Sequence, residues 1–515
     1  MLGYLDMSLL NSILSFPFIR RLSDIELFKK YPAEVQEEMF YYLIDKAADT
    51  AWGKEHDYKA INSIKDYEAA LKMFREKTPL SSYDDIKPWI TRARQGEADV
   101  LWPGLVRWFS KSSGTTSDKS KFIPITKESL EDCHYRGGRD AFAMYIEKHP
   151  DTKLFKGKTL SLGGSKREDD LNPNNSCGDL SAIVMDNLPF WAELARTPEI
   201  SVALMDEWES KLKAIVKSTK GENVISLAGV PSWMMVLLRR LLEETGVKNI
   251  KELWPNLELF MYGGVAFAPY KEQYKNICGD LNLVSIYSAS EGFFGISDDV
   301  EHENMLLMLD YGIFYEFVPL EELEKSQPKA YTISEVELGV NYAVIISTNG
   351  GLWRYIIGDT IQFTHLKPYY FKISGRIKHF INVFGEELMV DNADRAIAMA
   401  CERTGSLVKE YSAAPVFMTD TEQGRHQWLI EFETEPVDLQ RFIDIFDDSL
   451  KSLNSDYEAK RYNDMTLTPP EIIVARPGLF YDFLASKNKL GGQHKVPRLS
   501  NNRDNIEEML KFLRV

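Results

Sequence analysis

Leu257-Glu-Leu-Phe-Met-Tyr-Gly-Gly264 is an apolar run that stops on two glycines. A short run of this kind reads as a buried strand, and the glycines as the turn by which the chain leaves it. The signature recurs on both sides, in Leu160-Ser-Leu-Gly-Gly-Ser165, Val224-Ile-Ser-Leu-Ala-Gly229 and Leu283-Val-Ser-Ile-Tyr-Ser-Ala-Ser-Glu291. Pro231 follows one of these strands, and residues 233–245 then carry helical spacing. Strand, small-residue turn and helix in repetition predict an α/β fold built on mainly parallel sheets. Ligands of such sheets sit at the carboxyl ends of the strands, where Gly263-Gly264 and residues 287–291 fall.

The chain has 515 residues, more than one core accommodates, so two or more domains are expected. Its 44% hydrophobic and 27% charged residues are those of an ordinary globular protein. A net charge of -16 argues against a nucleic-acid partner, since a phosphate backbone rewards a basic face. Cys133, Cys177, Cys278 and Cys401 are widely spaced and form no C-x-x-C pair, which fits a reducing cytoplasm. Residues 7–19 are apolar, but Asp6 precedes them, Arg20-Arg21 follow, and the run is too short to span a bilayer. They read as an amphipathic helix docked on the body, and no membrane span is expected.

Further outward, residues 1–75 look helical and residues 128–147 form another helical stretch that carries Arg136 and Arg139. Two such arginines can grip a substrate carboxylate, or lie on a solvated helix face. A polar, Asn-rich loop runs to Gly178, as a lid or a plain surface excursion. From 305 to 362 the strands read as antiparallel, with 352–356 among them, and suggest a small distorted β-barrel. A junction at Ser374-Gly375-Arg376 leads into an α+β unit with helices at 390–404 and 439–453, strands near 414–417 and 427–432, a basic loop Gly491-Gly-Gln-His-Lys-Val-Pro-Arg498 and a terminal helix. The expected division is a large N-terminal domain, 1–372, and a smaller mobile α+β domain, 373–515.

The chemistry concentrates in Ser112-Ser-Gly-Thr-Thr-Ser-Asp-Lys-Ser-Lys121, where five hydroxyl residues surround Gly114 and Lys121 follows. Hydroxyls and open backbone N–H groups wrap phosphate oxygens, and a lysine neutralises their charge. The stretch is neither a Walker loop nor a dinucleotide fingerprint, because G-x-x-x-x-G-K-[ST] and G-x-G-x-x-G are both absent. Beyond it lie Tyr287-Ser-Ala-Ser-Glu291 and Tyr355-Ile-Ile-Gly-Asp359, with Arg354 just before the latter.

In this order and spacing the three stretches resemble the nucleotide motifs of the adenylate-forming superfamily, which includes acyl-CoA synthetases and luciferases. The resemblance is nearest to the Gretchen Hagen family of auxin-responsive acyl-acid amido synthetases and, through Gly229-Val-Pro-Ser-Trp233 and residues 491–498, to its bacterial branch. It runs over essentially the whole chain. Asp118 stands where a glycine is frequent, and Ala289 where plant members carry serine.

The resemblance implies a two-step ligase. A small carboxylic acid attacks the α-phosphate of ATP-Mg to give an acyl-adenylate. An amine, typically of an amino acid, then takes the acyl group. It implies that Ser112, Ser113, Gly114, Thr115, Thr116 and Lys121 hold the phosphates, and that Glu291 coordinates magnesium. Asp359 would accept the ribose hydroxyls, while Gly263-Gly264 and the Tyr287 ring flank adenine. Ser290, Tyr355 and Arg376 complete the nucleotide-binding set, with Arg376 also in the hinge. Lys495 is the mobile cation for the α-phosphate. Trp191, Trp233 and Phe267 line the acid cavity or belong to the core. Two other readings remain: an acyl-CoA ligase that passes the acyl group to a thiol, and a nucleotide-binding sensor on the same fold.

Overall fold

The computed structural model describes residues 21–113, 120–164, 166–205, 208–264, 267, 270–299, 304–323, 325, 328–376, 380–419, 422–487 and 496–514. The expected helix at 7–19, the phosphate-loop tip with Asp118, and Lys495 lie outside the described residues.

The centre is one eleven-stranded sheet. Its parallel half holds β3 (Lys158–Ser161), β6 (Arg196–Thr197), β7 (Val224–Gly229), β8 (Leu259–Gly263) and β9 (Asn282–Ala289), in the order β9-β8-β7-β3-β6. All but β6 are the strands that the small-residue turns predict. The first four residues of β7 are buried without alternation, and the one polar residue among them, Ser226, is satisfied by the Thr159 hydroxyl at 2.7 Å. Helix Pro231–Thr245 has proline at its first turn, where the missing N–H costs nothing, and ends on Gly246 at φ 73. It buries Met234, Leu238 and Leu241 in the same apolar cluster as Leu227 and Phe260.

At β9 the direction reverses. Strands β10 (Gly292–Asp299), β11 (Asn304–Leu307), β12 (Ile313–Pro319), β13 (Asn341–Thr348), β14 (Tyr355–Leu366) and β15 (Tyr369–Arg376) continue the sheet antiparallel, in the order β10-β11-β15-β14-β13-β12. The strands expected as a separate barrel are thus hydrogen-bonded into the same sheet as the parallel ones. β14 starts at Tyr355, because Arg354 adopts φ 42 and interrupts the extended chain predicted from 352.

A four-stranded sheet, β2-β1-β5-β4, stands beside it: β1 (Trp108–Ser113), β2 (Ser120–Ile125), β4 (Lys166–Glu168) and β5 (Ser176–Gly178). The Asn-rich segment expected as a loop is therefore a hairpin. Arg94 clamps it through Asp169, with both contacts at 2.9 Å, and half of the pair is fully buried. After β15, β16 (Phe380–Ile381) pairs with β17 (Leu388–Met389). A three-stranded sheet follows, β18 (Leu407–Val416), β19 (Arg425–Thr434) and β20 (Glu471–Ala475), backed by helices Val390–Thr404 and Leu439–Leu453. The two helix ranges are those that the periodicity predicts. Ile381, Phe384, Trp428 and Phe446 join the apolar cluster that contains Phe260, so the small unit packs onto the large one.

Candidate functional site

A cavity of about 1100 Å³ opens at the carboxyl ends of β7, β8 and β9, and residues of the C-terminal unit contribute to its wall. Gly263 and Gly264 form part of its wall. A Cβ on Gly263 would meet the Ile286 carbonyl oxygen at 2.6 Å, and Gly264 sits at φ 83. The paired glycines thus reflect a close strand approach followed by a left-handed turn.

The β1–β2 hairpin carries the hydroxyl-rich motif. Its register sets Ser112 opposite Lys121 and Ser113 opposite Ser120. Gly114, Thr115 and Thr116 lie outside the described residues, as do the side chains of Ser112 and Ser113. Half-buried Lys121 faces the cavity, with its ammonium 5.9 Å from the Tyr83 ring centroid. At the end of β9, the Ser290 hydroxyl lies 2.7 Å from that of buried Ser110, which fastens the turn to β1.

Glu291 follows, half-buried on the cavity wall. Burial pushes its carboxyl above the ordinary glutamate value, Lys121 offsets part of this, and Glu387 and Asp359 add repulsion. A carboxylate that burial makes costly to ionise fits a cation beside it. Among the described residues no group of three or more His, Cys, Asp or Glu side chains gathers to hold a metal. A single carboxylate suits magnesium, which keeps waters and phosphate oxygens as its other ligands.

The third motif meets the second across the sheet. The Tyr287 hydroxyl donates to Asp359 Oδ2 at 2.6 Å, and both residues are buried and line the cavity. Asp359 is also paired in register with Arg376 of β15, whose side chain lies outside the described residues. Tyr355 is fully buried, and its hydroxyl has no hydrogen-bond partner among the described residues. Burial, with Glu291 nearby, holds that hydroxyl protonated well beyond the usual tyrosine range. Tyr355 belongs to the cavity lining, but its unpaired hydroxyl is buried behind the wall.

Arg354 explains why this motif follows an arginine. Its Nε meets Glu316 at 2.7 Å, and its Nη1 donates to the Thr78 carbonyl at 2.8 Å. Arg75 joins the same carboxylate at 2.8 Å. Burial alone would raise the Glu316 carboxyl, but the two arginines outweigh it and hold it below the ordinary value. The site's third motif therefore hangs from a buried ion cluster.

The structure does not bring Arg136 or Arg139 to the cavity wall. Arg136 is held by Asp132 at 3.0 Å and the Asp310 carbonyl at 3.0 Å, and Arg139 is exposed. Between them, Gly138 does line the cavity, and a Cβ there would meet nothing within 4 Å. Of the aromatics, Phe267 is on the wall, stacked on Tyr262 at 4.7 Å. Trp233 is covered by the Lys460 ammonium at 4.1 Å, a contact between the two units, and the Trp191 side chain lies outside the described residues.

Sequence reasoning missed the loop between β16 and β17. Asn382, Val383 and Glu387 reach the cavity from it. Asn382 Nδ2 donates to the Gly264 carbonyl at 3.4 Å, which ties this loop to the end of β8. The available signal is Gly385-Glu-Glu387, a glycine and two acids between a strand and a helix.

The sequence matches the GH3 family N-terminal domain over residues 21–283, the GH3 family central domain over 306–376 and the GH3 family C-terminal domain over 391–504. A 4-substituted benzoates-glutamate ligase of Arabidopsis thaliana is 25% identical, with 83% of this chain and 87% of that protein covered. An indole-3-acetic acid-amido synthetase of the same plant is 22% identical over 93% of this chain and 91% of its own. Among solved structures, the GH3.15 acyl acid amido synthetase in complex with 2,4-DB superposes with a TM-score of 0.61, at 19% identity, covering 96% of this chain and 95% of that one. A 2-hydroxyisobutyryl-CoA ligase does so with a TM-score of 0.57, at 12% identity, covering 94% and 92%.

Proposed function

We propose, since this chain belongs to the GH3 family, that it is an ATP-dependent ligase which adenylates a small carboxylic acid and passes the acyl group to an amino acid. The observation that carries the reading is one cavity in which Lys121, Glu291, the Tyr287–Asp359 pair and Tyr355 converge at strand ends, beside a loop from the C-terminal unit. The two plant relatives named above are, by their names, a benzoates-glutamate ligase and an acid-amido synthetase, matched over 83% and 93% of this chain.

In the first step a carboxylate oxygen bonds to the α-phosphorus of ATP and pyrophosphate leaves. Ser112, Ser113, Thr115, Thr116 and Lys121 hold the β- and γ-phosphates. Gly263-Gly264 and Tyr287 flank the base, and Asp359, already oriented by the Tyr287 hydroxyl, accepts from the ribose. Ser290 keeps the turn before Glu291 in place through Ser110. Magnesium, held by Glu291, supplies neutralisation of the charge that builds on the phosphates. Lys495 approaches the α-phosphate from the C-terminal unit. These are positioning and electrostatic roles, which suit chemistry at phosphorus.

The division expected between residues 372 and 373 falls inside β15, where Gly375 and Arg376 pair with Thr360 and Asp359, and the small unit would turn about Ser374-Gly375-Arg376, at the end of that strand, between the two steps. Gly375 at φ 151 occupies a conformation that only glycine adopts without strain, which supports a hinge there. The four free cysteines support a reducing cytoplasm as its compartment. No helix among the described residues is long and apolar enough to cross a membrane.

The test is acid-dependent ATP–pyrophosphate exchange over a library of carboxylic acids, followed by product analysis with amino acids and with coenzyme A. Exchange with one acid class and an amide product is expected. A thioester with no amide would make the protein an acyl-CoA ligase, and no exchange with any acid would make it a binding protein.

A further inference from the structure

An amino-acid acceptor reaches this cavity as an ammonium ion, which is not a nucleophile. It must shed a proton before its nitrogen can attack the acyl carbon. The cavity wall has three described carboxylates: Glu291, Asp359 and Glu387. Asp359 is engaged by the Tyr287 hydroxyl at 2.6 Å, and Glu291 is the magnesium ligand of the reading above. Glu387 belongs to none of the three nucleotide motifs, and it is the one of the three carboxylates supplied by the C-terminal unit.

The loop that carries Glu387 is built to hold it there. The Glu387 backbone N–H donates to Asn382 Oδ1 at 3.2 Å, and its carbonyl accepts from Asn454 Nδ2 at 3.0 Å. Asn382 in turn reaches the Gly264 carbonyl at 3.4 Å, and its own N–H donates to Asn501 Oδ1 at 2.7 Å. Neighbouring Glu386 is fully buried, accepts the Phe384 N–H at 2.6 Å and is bonded to His426 Nε2 at 2.8 Å. Glu387 itself sits at φ 40, a left-handed conformation that a glutamate holds only where its surroundings impose it. The half-buried side chain faces the cavity, close enough for its charge to act on Glu291.

Resting on the ligase reading, we propose that Glu387 is a catalytic residue of the second step: it pairs with the acceptor's ammonium and takes its proton. One N–H bond breaks and the proton passes to the Glu387 carboxylate. The freed lone pair then forms the C–N bond, and the bond between the acyl carbon and the phosphate oxygen breaks with its electrons going to AMP. The second N–H proton passes to the departing AMP phosphate. The cycle closes when Glu387 returns its proton to solvent.

The experiment compares two acceptors on the same adenylate, formed from the acid that scores highest in the exchange screen. One is an equimolar mixture of amino acids. The other is hydroxylamine, which is already unprotonated at neutral pH and needs no base. For Glu387→Gln, the ratio of amide to hydroxamate is expected to fall by about 100-fold, the lower range for loss of a general base. Glu387→Asp keeps a carboxylate in a residue that tolerates left-handed backbone, and it is expected to retain more of the ratio than the glutamine variant. A ratio within about threefold of the parent in Glu387→Gln, or equal loss in both variants, overturns the proposal. If the parent protein itself gives no exchange with any acid, the ligase reading fails instead, so the two failures are distinct.

Discussion

Replacing Glu316 by glutamine is expected to weaken the whole N-terminal unit, although Glu316 does not line the cavity. Its side chain is 1% exposed and that of Arg354 is 6% exposed, so both charges lie away from water. Removing one partner of such a pair leaves the other as an uncompensated buried charge, at a cost of about 3–5 kcal/mol. Glutamine keeps one acceptor oxygen for Arg354, and Arg75, at 27% exposed, can turn to solvent, so the lower figure of about 3 kcal/mol applies. Units of 150–250 residues lose roughly 2–4 °C per kcal/mol, and a larger unit loses less per kcal/mol, so a drop of about 4–6 °C is expected. Thermal unfolding followed by circular dichroism at neutral pH measures it. A drop under about 2 °C would refute the claim that this pair is a buried, mutually dependent unit. The pH dependence gives a second reading with a definite sign. The native Glu316 carboxyl is held below its ordinary value, so its contribution is fully present above the ordinary glutamate range and is lost as pH falls through the depressed value. The difference in Tm between parent and variant should therefore close in acid. The double variant Arg354→Met with Glu316→Leu should recover most of the loss, because an apolar pair needs no partner charge.

Two further outcomes follow from the site. Tyr287→Phe removes a hydrogen bond to a carboxylate, worth about 1.5–3 kcal/mol, and should raise KM for ATP in the exchange assay by about tenfold or more; an unchanged KM would remove Asp359 from ribose binding. Glu291→Gln should lower exchange by at least about 100-fold while leaving Tm equal or higher, because the native carboxyl is raised and its ionised form costs stability; that cost is absent below the ordinary glutamate value, grows as pH rises from there, and is fully present above the raised value. Unchanged exchange would displace the magnesium assignment.

The parallel half of the sheet, β6 apart, was legible because a strand buried on both faces is written as a largely apolar run, as in residues 224–229 and 259–263. Helices Val390–Thr404 and Leu439–Leu453 were legible because their apolar residues keep one face. The motifs around Lys121, Glu291 and Asp359 were legible because each is a compact run of chemistry-bearing residues at a strand end. Strand alternation says nothing about which sheet a strand joins, so the antiparallel strands read as a barrel of their own. Likewise, a helix position does not say what an arginine meets. Arg136 is satisfied by Asp132 and by the carbonyl of Asp310, a residue 174 positions away, and only the folded chain brings those two together.

What the sequence determined by itself was local: strand runs, glycine turns, helix faces and the order of three motifs. Each depends on residues within a few positions of one another, where backbone geometry and side-chain period decide the outcome. The tertiary structure alone decided what depends on distant segments. It set the Tyr287 hydroxyl on Asp359, hung the start of β14 from Glu316 through Arg354, and brought Glu387 to a cavity whose other described carboxylates come from the large unit. Such pairings carry no periodicity along the chain, because the free energy that selects them is that of burying charged and polar groups only where a partner is present.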